Sequence, residues 1–269
     1  MDRLQMAVAR AKEKQREAGF EKYVAPEDHS DEDLAGVFHK IDDDELAARR
    51  IVAGMDDVSE GEIFRLLRTK ILGQMRENGW KSIAISAPTA GQGKSTVVAN
   101  LALAISMEIT QSVLAVDLDL RRPNLHRVFG IEPKLGLADI LKSEAALPEA
   151  LINVGSNRLT ILPGRGIVPN SSEWLSSPTM QQLFSAFKSR DRARYVIYDM
   201  PPLLQSDDVL KSVNNFDCLL LVVEDGRNAA EEIRQSLDML KQTNFIGYVL
   251  NKTRGFGLSA TTNSEMNQS

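Results

Sequence analysis

Three stretches of this chain carry side chains whose types and spacing suit phosphate chemistry. The first, Ser86-Ala87-Pro88-Thr89-Ala90-Gly91-Gln92-Gly93-Lys94-Ser95-Thr96, follows an apolar run and leads into an apolar-faced helical pattern. Small residues let backbone N–H groups wrap an anion, and a helix N-terminus adds its dipole. A lysine neutralises terminal phosphate oxygens, and a hydroxyl can hold a divalent cation. Gly91, Gln92, Gly93, Lys94, Ser95 and Thr96 are therefore the candidate ligand-binding residues. The second stretch ends an apolar run with Asp117 and Asp119, which as strand residues two apart point the same way. The third, Tyr195-Val196-Ile197-Tyr198-Asp199, again ends on an acid. Any one of these acids alone reads more readily as a solvated strand end. A magnesium-bound nucleotide explains all three together, with Ser95, Asp117 and Asp199 as candidate metal ligands.

Such residues need a scaffold that gathers several strand ends. From residue 81 onward, short apolar runs alternate with helical stretches. This predicts βα units around a mainly parallel central sheet, an α/β fold with helices on both faces. Strands are expected at 82–86, 113–116, 159–162, 195–198, 219–223 and 248–250, and helices at 94–107, 179–187 and 229–240. The acids and the glycine-rich loop then fall at the carboxyl edge of the sheet.

The 269 residues, 43% hydrophobic and 26% charged, fit one α/β domain with an appendage. The single cysteine, Cys218, excludes an internal disulfide and a cysteine-rich metal cluster. A net charge of -5 lacks the broad positive field of a non-specific nucleic-acid binder, so no nucleic-acid partner is expected. No apolar run approaches the roughly 18–20 residues of a membrane span, and a cytoplasmic location without direct membrane insertion is expected. Residues 1–58 read as a leader helix, with Leu4, Val8 and Ala11 at helical spacing, followed by an acidic linker that includes Asp31-Glu32-Asp33. The leader is either a solvated segment or a docking helix. Residues 59–253 form the expected domain, and 254–269 an expected mobile tail.

The first stretch resembles a P-loop, which implies a P-loop NTPase, although Pro88 stands where G-x-x-x-x-G-K-[ST] opens on glycine. Asp117 and Asp119 with Arg121-Arg122-Pro123 resemble the Walker A′ motif of the bacterial tyrosine kinases (BY-kinases). Asp199-Met200-Pro201-Pro202 resembles their Walker B. Pro169-Asn170-Ser171-Ser172-Glu173-Trp174-Leu175-Ser176-Ser177-Pro178 is similar to the family's P-N-P-x-E-L-L-x-S-P stretch, and Leu203-Leu204-Gln205-Ser206-Asp207-Asp208 to the segment after Walker B. The resemblance runs from about residue 59 to 253.

It implies Mg2+-dependent phosphoryl transfer from ATP to protein tyrosine in exopolysaccharide synthesis or export. Lys94, Asp117, Asp119 and Asp199 would be catalytic, with Asp117 accepting the tyrosine proton. It also implies a membrane polysaccharide co-polymerase as activator, recruiting the chain to the inner face of the cell membrane. Glu62, Arg65 and Arg68 match the E-x-x-R-x-x-R motif by which BY-kinase subunits pair into rings, a homo-oligomer. Their spacing puts them on one side of a helix, and Ile63, Leu66, Leu67 and Ile71 are expected to pack inward. Asn251-Lys252-Thr253-Arg254 lacks the acid of the guanine-reading N-K-x-D, so ATP is expected over GTP, with Asn251 against the adenine. One departure stands out. The family's C-terminal tyrosine cluster is missing, and of Tyr23, Tyr195, Tyr198 and Tyr248 the last three are expected to pack in or beside core strands. Two other readings stay open: an ATP-dependent regulatory scaffold without phosphotransfer, and a Min- or Par-type positioning ATPase. The second usually carries a signature lysine where this chain has Thr89.

Overall fold

Four apolar strands whose side chains alternate between two hydrophobic layers build the centre of the molecule. The computed structural model describes residues 37–40, 42–55, 59–189 and 194–253. Its strands are β1 (Val37–His39), β2 (Ser82–Ser86), β3 (Ser112–Asp117), β4 (Ile152–Val154), β5 (Ser156–Leu162), β6 (Arg194–Asp199), β7 (Cys218–Glu224) and β8 (Phe245–Asn251). The α-helices among the described residues are α1 (Asp43–Ala48), α2 (Ser59–Glu77), α3 (Lys94–Ser106), α4 (Leu125–Val128), α5 (Leu137–Leu141), α6 (Leu147–Ala150), α7 (Ser171–Leu175), α8 (Pro178–Ser189), α9 (Asp208–Ser212) and α10 (Ala230–Met239).

The strands form one sheet in the order β1-β4-β5-β3-β6-β2-β7-β8. Every neighbouring pair is parallel except β4 with β5. In β2, Ile83 and Ile85 join one apolar cluster while Ala84 joins the other. Val113 and Ala115 oppose Leu114 and Val116 in β3, and Tyr195 and Ile197 oppose Val196 and Tyr198 in β6. This two-residue period gives each face its own core. Helices α2 and α3 cover the first face through Ile71, Leu72, Met75, Leu101 and Ile105. Helices α5 and α8 cover the second through Leu137, Ile140, Leu183, Phe184 and Phe187. The phenyl rings of Phe184 and Phe187 close around Tyr198, 5.5 and 6.4 Å from its ring centre.

The six expected strands are present, each at least as long as its apolar run. Strands β1 and β4, three residues each, escaped because three residues show no period. Part of the expected linker is also packed. Val37 to His39 extend the sheet beside β4, and Ile51 and Ala53 are fully buried. The Asn100 side chain of α3 fastens this segment: its Oδ1 accepts the Val52 and Ala53 N–H groups at 2.8 and 3.1 Å, and its Nδ2 donates to the Arg50 carbonyl at 2.8 Å. The packed body thus begins ahead of residue 59. The expected leader helix, the Asp31-Glu32-Asp33 run, Tyr23 and the tail 254–269 lie outside the described residues.

Candidate active site

Because β2, β3, β6, β7 and β8 run parallel, their carboxyl ends share one edge, where Ser86, Asp117, Asp199, Glu224 and Asn251 lie. The connection from β2 to α3 is the glycine-rich loop. Its base is fixed by bonds from the segment after β6. The Leu203 and Leu204 N–H groups donate to the Ala87 and Pro88 carbonyls at 2.9 and 3.1 Å, and Ser86 Oγ donates to the Pro201 carbonyl at 2.7 Å. Pro88 is buried there and serves through its carbonyl, so a proline is accommodated where the P-loop pattern opens on glycine. The turn needs glycine further on. Gly91 and Gly93 both have φ of 85°, in the left-handed region.

Lys94 opens α3 and points back into the site. Its Nζ lies 2.8 Å from Asp119 Oδ2 and 3.3 Å from Asp199 Oδ1. Burial alone disfavours the ammonium, yet the Asp199 and Asp119 charges outweigh it and hold the lysine pKa above its ordinary value. Asp117 and Asp199 are register partners on β3 and β6, and both are fully buried. Asp117 accepts the N–H groups of Asp119 at Oδ1 (3.2 Å) and of Asn124 and Leu125 at Oδ2 (2.9 and 3.0 Å), so it fixes the turn that follows β3. Burial and then the Asp199 charge push its pKa up against those donors. Burial likewise raises Asp199, against the pull of Lys94 and of a hydrogen bond from the Ser95 side chain. The second Asp199 oxygen, Oδ2, is buried without a hydrogen-bond partner. A cation would satisfy it, and the Ser95 hydroxyl beside it is another hard oxygen donor of the kind Mg2+ takes.

Above these groups opens a cleft of about 900 Å3 lined by Gly91, Gly93, Lys94, Ser95, Thr96 and Asp119, and farther out by the 121–127 turn, Ile167 and the 201–206 segment. The structure therefore brings Gly91, Gly93, Lys94, Ser95, Thr96, Asp117, Asp119 and Asp199 together. The Gln92 side chain is different. It turns inward, buried, and donates to Thr89 Oγ1 at 2.8 Å, leaving its backbone in the loop. Asn251 braces the loop: its Nδ2 donates to the Gln92 carbonyl at 2.8 Å. Beside it, Lys252 Nζ donates to the Gly91 carbonyl at 2.8 Å and pairs with Glu224 at 3.0 Å.

Glu62, Arg65 and Arg68 sit on α2, away from this cleft. Glu62 is exposed, while the arginines lean on their own chain, Arg65 toward the Ala53 and Met55 carbonyls and Arg68 toward the Ala104 carbonyl and Glu108. Two inward expectations for this helix are corrected. Ile71 is buried and Leu67 packs on the core, but Ile63 and Leu66 are 46% and 52% exposed, because that arc of α2 faces away from α3. The tyrosine expectations are also corrected in one place. Tyr195 and Tyr198 are core residues, whereas Tyr248, on edge strand β8, is 65% exposed.

Arg127 and Ile167 also line the cleft wall, and no motif marks them in the sequence. Arg121, which stands in the A′ stretch, links the segments 169–178 and 203–208. Its Nε donates to Ser171 Oγ at 2.9 Å and lies 3.5 Å from the buried Asp208 carboxylate, to which Ser171 also donates at 2.7 Å.

Residues 83–269 match the CbiA family, the CobQ/CobB/MinD/ParA nucleotide binding domain. Tyrosine-protein kinase YwqD of Bacillus subtilis is 30% identical over 206 residues, which are 76% of this chain and 86% of that protein. Putative tyrosine-protein kinase EpsB of Ralstonia nicotianae is 34% identical over 207 residues, 74% of this chain but 26% of that protein. This chain thus spans about a quarter of the length of some relatives. Among solved structures, the kinase domain of the Escherichia coli tyrosine kinase ETK superposes with a TM-score of 0.69 at 29% identity, covering 78% of this chain and 83% of that one.

Proposed function

This chain belongs to the bacterial tyrosine kinases built on the CobQ/CobB/MinD/ParA nucleotide-binding domain, and we propose that it transfers the γ-phosphoryl group of ATP to a protein tyrosine. The observation that carries the reading is the convergence of Lys94, Asp117, Asp119 and Asp199 beneath a loop held by two left-handed glycines. The loop amides and Lys94 bind the phosphates. Ser95 and Asp199, with Asp117 behind them, would hold Mg2+. Among the described residues no group of three or more His, Cys, Asp or Glu is placed to hold a metal alone. Asp199 and Asp117 are the carboxylates on offer, and Mg2+ takes one or two carboxylates together with substrate phosphates. Bound there, the ion would supply positive charge to offset the charge that develops on the transferring phosphoryl group.

In the reaction the tyrosine oxygen forms a bond to the γ-phosphorus while the bond to the β,γ-bridging oxygen breaks, its electron pair leaving with ADP. The phenolic proton passes to Asp117, whose Oδ1 has one N–H donor and a free lone pair. Asp119 turns toward the cleft and keeps Lys94 in place.

Mass spectrometry for phosphotyrosine after incubation with Mg·ATP tests the reading. Phosphotyrosine should appear with the wild-type chain and be absent with Lys94→Met. Asp117→Asn should bind ATP but fail to transfer, and if Asp119→Asn alone behaves so, the proton acceptor is Asp119. Calorimetry in which folded protein takes up no ATP sinks the whole assignment. Chain 59–253, extended by the packed residues ahead of it, is the kinase unit in this reading, acting at the inner face of the cell membrane with a polysaccharide co-polymerase as activator. Copies assemble through α2, where exposed Ile63 and Leu66 lie among Glu62, Arg65 and Arg68.

A further inference from the structure

The cleft is larger than the phosphate cradle needs, and its outer wall differs in character from its floor. On the floor Lys94 pairs with Asp119 and Asp199, and farther out Arg121 is already paired with Asp208. Along the outer wall the cations are Arg122 and Arg127, both exposed, and between the cleft and solvent sits Ile167, which is 73% exposed. This wall is fixed in place. Asp117 holds the Asn124 and Leu125 N–H groups, which lie between the two arginines, and Asp119 Oδ1 accepts the Arg122 N–H at 3.1 Å. The Ile167 segment is tied across to the same turn by the Val168 N–H, which donates to the Leu120 carbonyl at 2.9 Å. Two exposed guanidinium groups and an exposed aliphatic side chain on one cleft wall offer an apolar platform for a phenol ring and donors for carboxylates near it.

Resting on the kinase reading above, we infer that the outer half of the cleft selects tyrosines that lie in acid-rich segments, with Arg122 and Arg127 contacting the acids and Ile167 the ring. The chain contains both kinds of tyrosine segment. Residues 18–33 carry Glu21, Glu27, Asp28, Asp31, Glu32 and Asp33 around Tyr23, whose direct neighbours are Lys22 and Val24, whereas Tyr248 lies in the apolar run Gly247 to Leu250. The acid-rich kind is the one that complements the wall, whether it comes from a second copy or from another protein.

The test measures binding apart from catalysis. A labelled synthetic peptide of residues 18–33, and the same peptide with its acids changed to the matching amides, are titrated by fluorescence anisotropy into the full chain loaded with a non-hydrolysable ATP analogue and Mg2+. The acidic peptide should bind about fivefold more tightly, as two partly exposed ion pairs would give. The ratio should shrink as salt is raised and collapse in Arg122→Ala/Arg127→Ala. Equal binding of the two peptides, no binding of either, or a preference that survives the double substitution overturns the inference. Acidic-peptide preference without phosphorylation under ATP upholds the inference and removes the kinase reading instead. Phosphosite mapping on the wild-type chain and on Tyr23→Phe separates the two sources: loss of self-modification in Tyr23→Phe assigns the segment to a second copy, and acid-flanked sites on other proteins assign it there. Modification confined to Tyr248 counts against the inference.

Discussion

Replacing Lys94 with methionine should destabilise the folded chain even when no nucleotide is present. The ammonium lies 2.8 Å from one buried carboxylate and 3.3 Å from another. At an effective dielectric constant of about 20, each contact is worth about 5–6 kcal/mol before the cost of desolvation. Removing one member of a buried charge cluster typically costs about 3–5 kcal/mol, because the remaining charges stay buried without compensation. Urea unfolding at pH 8 in the presence of EDTA should therefore show a deficit of that size. The pH dependence adds a second constraint. Asp117 is pushed up to about 8, and Asp199 is raised as well, by burial. A carboxyl whose folded pKa is raised holds more protons folded than unfolded, so its contribution is present at low pH and lost as pH rises through the folded value. Without Lys94 those carboxyls hold protons more tightly still. The deficit should then shrink as pH is lowered from 8 toward 6, and Lys94→Met/Asp119→Asn should be more stable than Lys94→Met alone. Equal stability of Lys94→Met and wild type at pH 8, or a deficit that ignores pH and the second substitution, would refute the reasoning.

Other positions give independent checks. Asp217 accepts the Lys81 and Ser82 N–H groups and the Ser82 hydroxyl, each at 2.8 Å, and its pKa is held below the usual carboxylate range by those donors despite partial burial. Asp217→Ala should cost about 2 kcal/mol at pH 7 by urea unfolding. The gap to wild type should close as acid protonates the native carboxylate, because a depressed folded pKa adds stability only above that value. In Gly93→Ala the new methyl carbon would sit 2.3 Å from Asn251 Nδ2 on a residue at φ 85°. Calorimetry should detect no ATP binding in that variant while circular dichroism keeps the wild-type spectrum. Asn251→Ala, which removes one brace of the loop, should weaken ATP by about three- to tenfold, the worth of one hydrogen bond. Unchanged affinity would make the brace dispensable.

The central sheet was readable because β2, β3, β6 and β7 are buried on both faces and so appear as unbroken apolar runs. The lysine and three acids were readable because each stands where such a run ends. Edges were harder. Strands β1 and β4 owe their existence to long-range pairing, which three residues cannot announce. The same holds for Tyr248. Its neighbours look like a core strand, but β8 is paired only to β7 and one of its faces is left open. Ile63 and Leu66 were misplaced because an apolar helix face says nothing about how much of it a neighbour covers. Arg127, on the short helix α4, and Ile167, in a loop, reach the cleft along paths that depend on single backbone bonds, such as the Val168 N–H to Leu120, and no residue pattern encodes those.

The bonds from Asn251 and Lys252 to the loop carbonyls make the outermost strand a lever on the nucleotide. Tension applied to the chain beyond Thr253 meets these two side chains before it meets the interior of the sheet. A displacement of this end of β8 is therefore felt at the loop without passing through the hydrophobic layers.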